Sequence, residues 1–304
     1  MVRAFEKDAD MDHEELITLA DGRTLEVATW GDATKPTVVF HHGTPGSSRT
    51  LALFQPLIDR GEFFFVTTSR AGYGRSSRDP GRAFASVVPD TRAALDHLGR
   101  DAYTSLGWSG GGPHALACAA LDAPRCRGVV AIASVVPIDV DINWTDGMGP
   151  ENLEEFALAL EGGPAFEAAI EAAGLFLAES SAENVLELMG GLLSEPDQAA
   201  LSDDALRRAF AESTAYGFFE GWRGFYDDDV ATFSPWGFDV TAITTPVDVF
   251  YGDLDLMVPA SHGEWLAGHL PTARAHHYAH EGHLSIFANH ADEVAAALAA
   301  SALD

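Results

Sequence analysis

Apolar positions along the chain follow two different rhythms. In the first part, short runs of strand length alternate with stretches of helical spacing. Residues 14–20 and 23–30 predict two strands around the turn dipeptide Asp21-Gly22. Thr37 to His41 predicts a buried strand that ends in a glycine-rich loop. Arg49 to Leu57 predicts a helix, Phe63 to Thr67 a strand, and Ser86 to Leu98 a helix. Ala102 to Leu106 reads as a short buried strand, His114 to Leu121 as a helix, and Gly128 to Ala133 as the next strand. Such alternation predicts an α/β fold: a mostly parallel sheet with helices on both faces.

The rhythm changes between Pro137 and Trp236, where strand signals nearly vanish. Asn152 to Leu160, Ala165 to Leu177, Ala182 to Leu192, Asp203 to Phe210 and Thr214 to Phe225 all favour helix. Strands resume at Val247 to Tyr251 and near Ala275 to Ala279, flanked by helices over His262 to Leu270 and Leu284 to Ala300. The expected organisation is a core over residues 1–136, a helical insertion over 137–236, and the rest of the core over 237–304.

Composition narrows the partners. Apolar residues make up 47% of the 304, enough for a sizeable core. A formal net charge of -28 argues against nucleic acid or an anionic membrane surface as a partner. No window approaches about 18 uninterrupted apolar residues, so no membrane span is expected. Met1 to Asp10 lacks the apolar run of a secretory signal. Cys118 and Cys126 sit in apolar surroundings and read as free buried thiols in a reducing compartment, so a cytoplasmic location is expected; a disulfide between the two is the alternative that their count leaves open. A homodimer is compatible with the sequence, but no coiled-coil pattern specifies one.

The chemistry starts at Gly107-Trp108-Ser109-Gly110-Gly111, a G-x-S-x-G turn between a predicted strand and a predicted helix. Such a turn holds a serine hydroxyl clear of the sheet edge. A neutral hydroxyl is a weak nucleophile, so it needs a base, and the base needs an orienting carboxylate. The preferred acid is Asp255, in the loop after the strand Val247 to Tyr251; Asp253 competes for the role, or caps that loop. The preferred base is His283, preceded by Gly282 and opening the last helix; His276, His277 and His280 are alternatives. Acyl transfer also needs donors for the carbonyl oxygen, and the backbone N–H groups of Thr44 and Gly110 are candidates for this oxyanion hole. His41 has at most a supporting role there. No P-loop, dinucleotide fingerprint or metal-ligand spacing is present, so no cofactor and no metal are expected.

Five patterns in order resemble the α/β-hydrolase superfamily: His42-Gly43-x-Pro45-Gly46, Arg70-x-Gly72-Tyr73-Gly74-x-Ser76, the serine turn, Gly252-x-x-Asp255-x-x-Val258-Pro259, and Gly282-His283. The resemblance is to capped serine esterases, lactonases and proline iminopeptidase-like hydrolases. It implies a catalytic triad of Ser109, Asp255 and His283, and a helical cap over the pocket. There are departures. Ser69 stands where many relatives carry an acid. Dehalogenases and epoxide hydrolases of the superfamily place aspartate at the elbow, so Ser109 disfavours both reactions. Proline iminopeptidases usually carry Gly-Gly-Ser-Trp-Gly there. An acidic clamp for a free amine has Glu154, Glu155 and Glu220 as candidates by position, with ordinary helix-surface acids the simpler reading of all three.

Aromatic residues recur through the insertion. Most are expected to dock it on the core. Trp108, Trp144, Trp222, Met257 and Leu284 are the expected pocket wall, suiting a small hydrophobic ester or lactone. The competing functions are an aminopeptidase or amidase on the same triad, and a non-catalytic ligand-binding protein.

Overall fold

A computed structural model describes residue 11 and residues 13–302 of the chain; Met1 to Asp10, expected to carry no leader, lies outside the described residues. The strands are β1 (His13–Thr18), β2 (Thr24–Trp30), β3 (Thr37–His41), β4 (Phe64–Ser69), β5 (Tyr103–Trp108), β6 (Cys126–Ile132), β7 (Val247–Gly252) and β8 (Ala273–Tyr278). They form one sheet in the order β1-β2-β4-β3-β5-β6-β7-β8. The β1–β2 and β2–β4 pairs are antiparallel, and every later pair is parallel.

Sequence explains this order of burial. Every residue of β3, β4, β5 and β7 is buried. Apolar residues dominate β3 and β7, as a strand covered on both faces needs, while β4 and β5 also bury Thr67, Thr68, Thr104 and Ser105. The edge strands are different. β1 carries Glu14 and Glu15, and β8 carries Arg274, His276 and His277, with both strands partly exposed. Charge on an edge discourages pairing with another chain.

The helices are α1 (Gln55–Ile58), α2 (Val87–His97), α3 (Gly112–Leu121), α4 (Pro150–Glu161), α5 (Gly163–Leu177), α6 (Val185–Met189), α7 (Glu195–Ala200), α8 (Asp204–Gly217), α9 (Arg223–Thr232), α10 (Ala260–His269), α11 (Ser285–Asn289) and α12 (Ala291–Ala302). α2, α3 and α10 share one core with one face of the sheet, and α1 and α12 pack on the other. Helices α4 to α9 all lie between β6 and β7 and form the helical cap. Phe166, Ile170, Phe218 and Phe225 of the cap region close over Tyr73 of the core in a third apolar cluster.

Three details differ from the sequence expectation. Arg49 to Leu57 begins with a 3-10 turn over Ser48–Phe54 rather than a continuous helix. The expected helix Thr214 to Phe225 is split, because α8 ends at Gly217 and α9 begins at Arg223. Gly221, at φ +109, makes the turn between them. The last helix likewise breaks at His290, between α11 and α12.

Candidate active site

Parallel strands deliver their C-terminal ends to one side of the sheet, where open α/β sheets hold ligands. β3 ends in the loop carrying Thr44, β5 in the turn carrying Ser109, and β7 in the loop carrying Asp255. His283 follows β8 and precedes α11. Ser109, His283, Thr44 and Gly110 all border one cavity of about 300 Å³ under the cap.

Ser109 sits at φ +57, a left-handed conformation that strains a side chain other than glycine. Such strain amounts to about 1–3 kcal/mol and persists only where the surroundings impose it. Here β5 enters the turn fully buried, and α3 leaves it with Pro113 in its first turn. Gly110 stands against the loop after β3. A Cβ added there would lie 2.4 Å from Thr44 Oγ1 and 3.3 Å from the Thr44 nitrogen. The two candidate oxyanion donors are therefore neighbours.

The loop is held from behind. His42 Nδ1 bonds the Gly43 carbonyl at 2.7 Å, and His42 Nε2 accepts the Arg70 N–H at 3.1 Å. Burial, joined by the charge of Arg70, pushes the His42 pKa well down, which keeps Nε2 free to accept. Thr44 donates its hydroxyl to Asp228 of α9 at 2.7 Å. Asp228 also faces Arg70 and Arg82, each at 2.5 Å, and accepts from the Tyr73 hydroxyl at 2.9 Å. Burial alone would raise the Asp228 pKa; the charges of Arg70 and Arg82 outweigh it and hold the carboxyl well below its usual range. His41 is buried beside His114, ring centroids 6.4 Å apart, behind this loop.

Asp255 divides its oxygens. Oδ1 accepts the N–H groups of Met257 and Val258, both at 2.8 Å. Oδ2 faces His283 Nδ1 at 2.8 Å. A carboxylate only accepts, so Nδ1 carries the hydrogen and the lone pair lies on Nε2. That is the tautomer a general base requires. Burial disfavours the imidazolium, but the charge and hydrogen bond of Asp255 outweigh it and raise the His283 pKa. No hydrogen bond joins Ser109 to His283 among the described residues; unliganded sites commonly hold this contact longer than the complex does. The rival acid Asp253 is an exposed residue paired with His277 at 2.6 Å, away from the cavity. His276 pairs with Asp248 on the sheet edge.

The wall is apolar but differs in detail from expectation. Trp108 and Met257 border the cavity, as do Phe156, Phe176 and Phe225. Trp108 also donates Nε1–H to the His283 carbonyl at 3.2 Å and stands 5.2 Å from its ring. Trp144 does not border it. Its Nε1–H caps the Val136 carbonyl, and its ring packs on Phe156, Phe233 and His262. Trp222 lies against the Arg223 guanidinium and edge-on to Tyr226, and does not border the cavity. Leu284 is fully buried in the core behind His283. Trp144, Trp222 and Leu284 thus spend their side chains on packing rather than on the cavity wall.

Sequence reading missed two acids. Asp197, fully buried at the start of α7, accepts the N–H groups of His283, Leu284 and Ser285 at 3.1, 2.7 and 3.0 Å. It also accepts the Ser194 hydroxyl at 2.7 Å. The S-x-x-D spacing of Ser194 and Asp197 is a helix-start signal, but nothing local reveals that the carboxylate serves another loop. The second is Asp229, which borders the cavity beside Glu155. Of the three acids that are candidates by position, Glu155 of α4 borders the cavity, while Glu154 and Glu220 are exposed.

Among the described residues, no group of three or more His, Cys, Asp or Glu could hold a metal ion, and no helix is long and apolar enough to cross a membrane. Both cysteines are free and buried.

The chain belongs to the alpha/beta hydrolase fold family, which residues 36–289 match. An uncharacterized hydrolase of Bacillus subtilis (strain 168) is 33% identical over 122 residues, covering 40% of this chain. That match spans 41% of the relative's own length, less than half of it. Among solved structures, a bromoperoxidase from Bacillus anthracis superimposes with a TM-score of 0.66 at 22% identity, covering 96% of this chain and 100% of that one. The enol-lactonase from Burkholderia xenovorans LB400 does so with a TM-score of 0.62 at 18% identity, covering 95% and 100%. At these identities the structural likeness establishes the fold. The fold and the buried Asp255–His283 pair support a serine-dependent hydrolase mechanism.

Proposed function

We propose that this protein hydrolyses a carboxylic ester or lactone of a small hydrophobic substrate through an acyl-enzyme on Ser109. The observation that carries the reading is the 2.8 Å Asp255–His283 pair, opening on the same apolar cavity as the strained Ser109. His283 Nε2 takes the Ser109 proton as Oγ bonds the substrate carbonyl carbon. The carbonyl oxygen becomes an oxyanion, held by the N–H groups of Thr44 and Gly110. Collapse breaks the bond to the leaving alcohol, which receives the proton from His283. A water then gives a proton to His283 and attacks the acyl carbon. The acid departs as Ser109 regains its hydrogen. A lactone follows the same path and leaves as one ring-opened hydroxy acid.

Two features favour an ester or lactone over a haloalkane. The nucleophile is a serine, whose alkyl ether could not be hydrolysed by this machinery. The neighbouring donors also suit an oxyanion. The fold shared with an enol-lactonase agrees with the reading. The test is fluorophosphonate labelling with mass analysis, then an ester and lactone panel. Wild type should label at Ser109 and hydrolyse panel members. Ser109→Ala should fold, fail to label and lose about a thousandfold or more in kcat. A folded wild type that never labels would overturn the proposal.

A further inference from the structure

Three consecutive aspartates of α9 are all buried, and their environments differ. Asp227 is clasped by Arg78, whose Nε and Nη2 lie 2.7 and 2.8 Å from its oxygens. Asp228 is clasped by Arg70 and Arg82. Asp229 has no such cation. It is 2% exposed, it borders the cavity, and its Oδ2 has no hydrogen-bond partner. Its electrostatic neighbour is Glu155 of α4, another carboxyl of the cavity wall. No lysine or arginine is among the described residues that border the cavity.

An unpaired carboxylate in an apolar cavity is unfavourable, so it either takes up a proton or needs a cation beside it. Elsewhere on this helix the protein supplies it; here it supplies a second acid instead. We propose that Glu155 and Asp229 form an ammonium-binding subsite in the roof of the cavity, so that the preferred esters or lactones carry a protonated amine apart from the reacting carbonyl. The substrate statement rests on the Ser109 hydrolase reading; the subsite itself does not. An ammonium offers up to three N–H donors to the pair, and charge-assisted bonds of this kind are the strong ones. The apolar wall of Phe156, Phe176 and Phe225 then takes the carbon skeleton between the two polar ends. The pair shows the matching strain: burial pushes Glu155 up to about 8, and burial with the charge of Glu155 pushes Asp229 up as well. A bound cation relieves both.

The test separates subsite from chemistry. Calorimetry on full-length Ser109→Ala protein compares n-hexylammonium with n-hexanol near neutral pH. The ammonium should bind about tenfold tighter or more, a difference of about 1.4 kcal/mol. Asp229→Asn and Glu155→Gln should each cut that ratio by about tenfold, with folding checked by thermal melts. Should Asp229→Asn fail to fold, the half-buried Glu155→Gln carries the comparison. Equal binding of the two probes overturns the subsite, and so does a preference that neither substitution changes. Fluorophosphonate labelling of wild type runs in parallel. Ammonium preference without labelling leaves the subsite standing and removes the ester chemistry; labelling without preference does the reverse.

Discussion

Asp197, in the helical cap, accepts the backbone N–H of His283 at 3.1 Å, across 86 positions of sequence. Its other oxygen takes the N–H groups of Leu284 and Ser285. The cap therefore does more than roof the cavity. It fixes the backbone from which the candidate base projects, while Asp255 fixes the ring and Trp108 holds the carbonyl. Asp228 does the same for the oxyanion loop through Thr44. One aspartate from the cap reaches each half of the machinery.

Replacing Asp197 by alanine leaves three buried N–H groups without an acceptor. An unmet buried donor costs about 1–3 kcal/mol. The melting temperature should fall by about 5 °C or more, and kcat/KM by about tenfold or more through a looser His283. Asp197→Asn should be milder, because its amide oxygen can still serve Leu284 and Ser285. Melts and ester kinetics on both variants check this. Near wild-type behaviour of Asp197→Ala would remove the positioning role.

The Asp255–His283 pair fixes opposite pH slopes for activity and stability. The base must be neutral, so kcat/KM should fall on acidification. Because the folded pKa is raised, the midpoint should lie above the ordinary histidine value of about 6.5. Stability runs the other way. The raised folded value contributes stability that is fully present below the unfolded pKa and is lost as pH rises through the folded one. Asp255→Asn should depress kcat by about a thousandfold or more. Its amide oxygen stays with the Met257 and Val258 N–H groups, which turns an NH₂ donor toward Nδ1 and forces the wrong tautomer. Asp253→Asn is the surface control. An acid limb at or below the ordinary value, or a larger loss at Asp253, would contradict the pair's role.

How much of this was legible depends on how local each signal is. Ser109, Thr44, Asp255 and His283 sit in short patterns whose strand, turn and helix contexts lie within a few residues, so sequence alone could nominate them. Asp197 and Asp229 carry no such pattern. Which way they face is decided by how the cap docks: the N–H groups that Asp197 meets lie 86 and more positions away, and the neighbour of Asp229 in the cavity wall is Glu155 of another helix. Trp144, Trp222 and Leu284 misled for the same reason: proximity in sequence does not say which face of an element meets the cavity. Fold boundaries were clear where apolar runs were continuous, as in β3, and blurred where Gly217 and Gly221 interrupted a helical pattern.

Gly110→Ala tests the oxyanion pair directly. The new Cβ would stand 2.4 Å from Thr44 Oγ1 and 2.9 Å from Thr44 Cβ, so the loop and the elbow must separate. Loss of an oxyanion donor costs about a hundred- to a thousandfold in kcat. That loss is expected here, with KM changing far less. Gly268→Ala is the control. It is an exposed position of α10 with nothing within 4 Å of its added Cβ, and alanine there should stabilise by about 0.5 kcal/mol without touching kcat. Unchanged kcat in folded Gly110→Ala would rule out the Thr44–Gly110 assignment.

Asp228 is expected to hold the cap and the oxyanion loop together. Asp228→Ala strands the guanidiniums of Arg70 and Arg82 beside it in the interior, where breaking one partner of a buried pair costs about 3–5 kcal/mol. A fall in melting temperature of about 6 °C or more should follow. The pH sign also differs from that of His283. The folded Asp228 pKa is depressed, so its contribution is present above the unfolded value of about 3.9 and is lost as pH falls through the folded one. The wild-type advantage over Asp228→Asn should therefore shrink only in strong acid. Thr44→Val removes the 2.7 Å bond to Asp228 while leaving the ion pairs, so it should lower kcat with a small change in melting temperature. Equal kcat in wild type and Thr44→Val would show that Asp228 secures the cap without setting the loop.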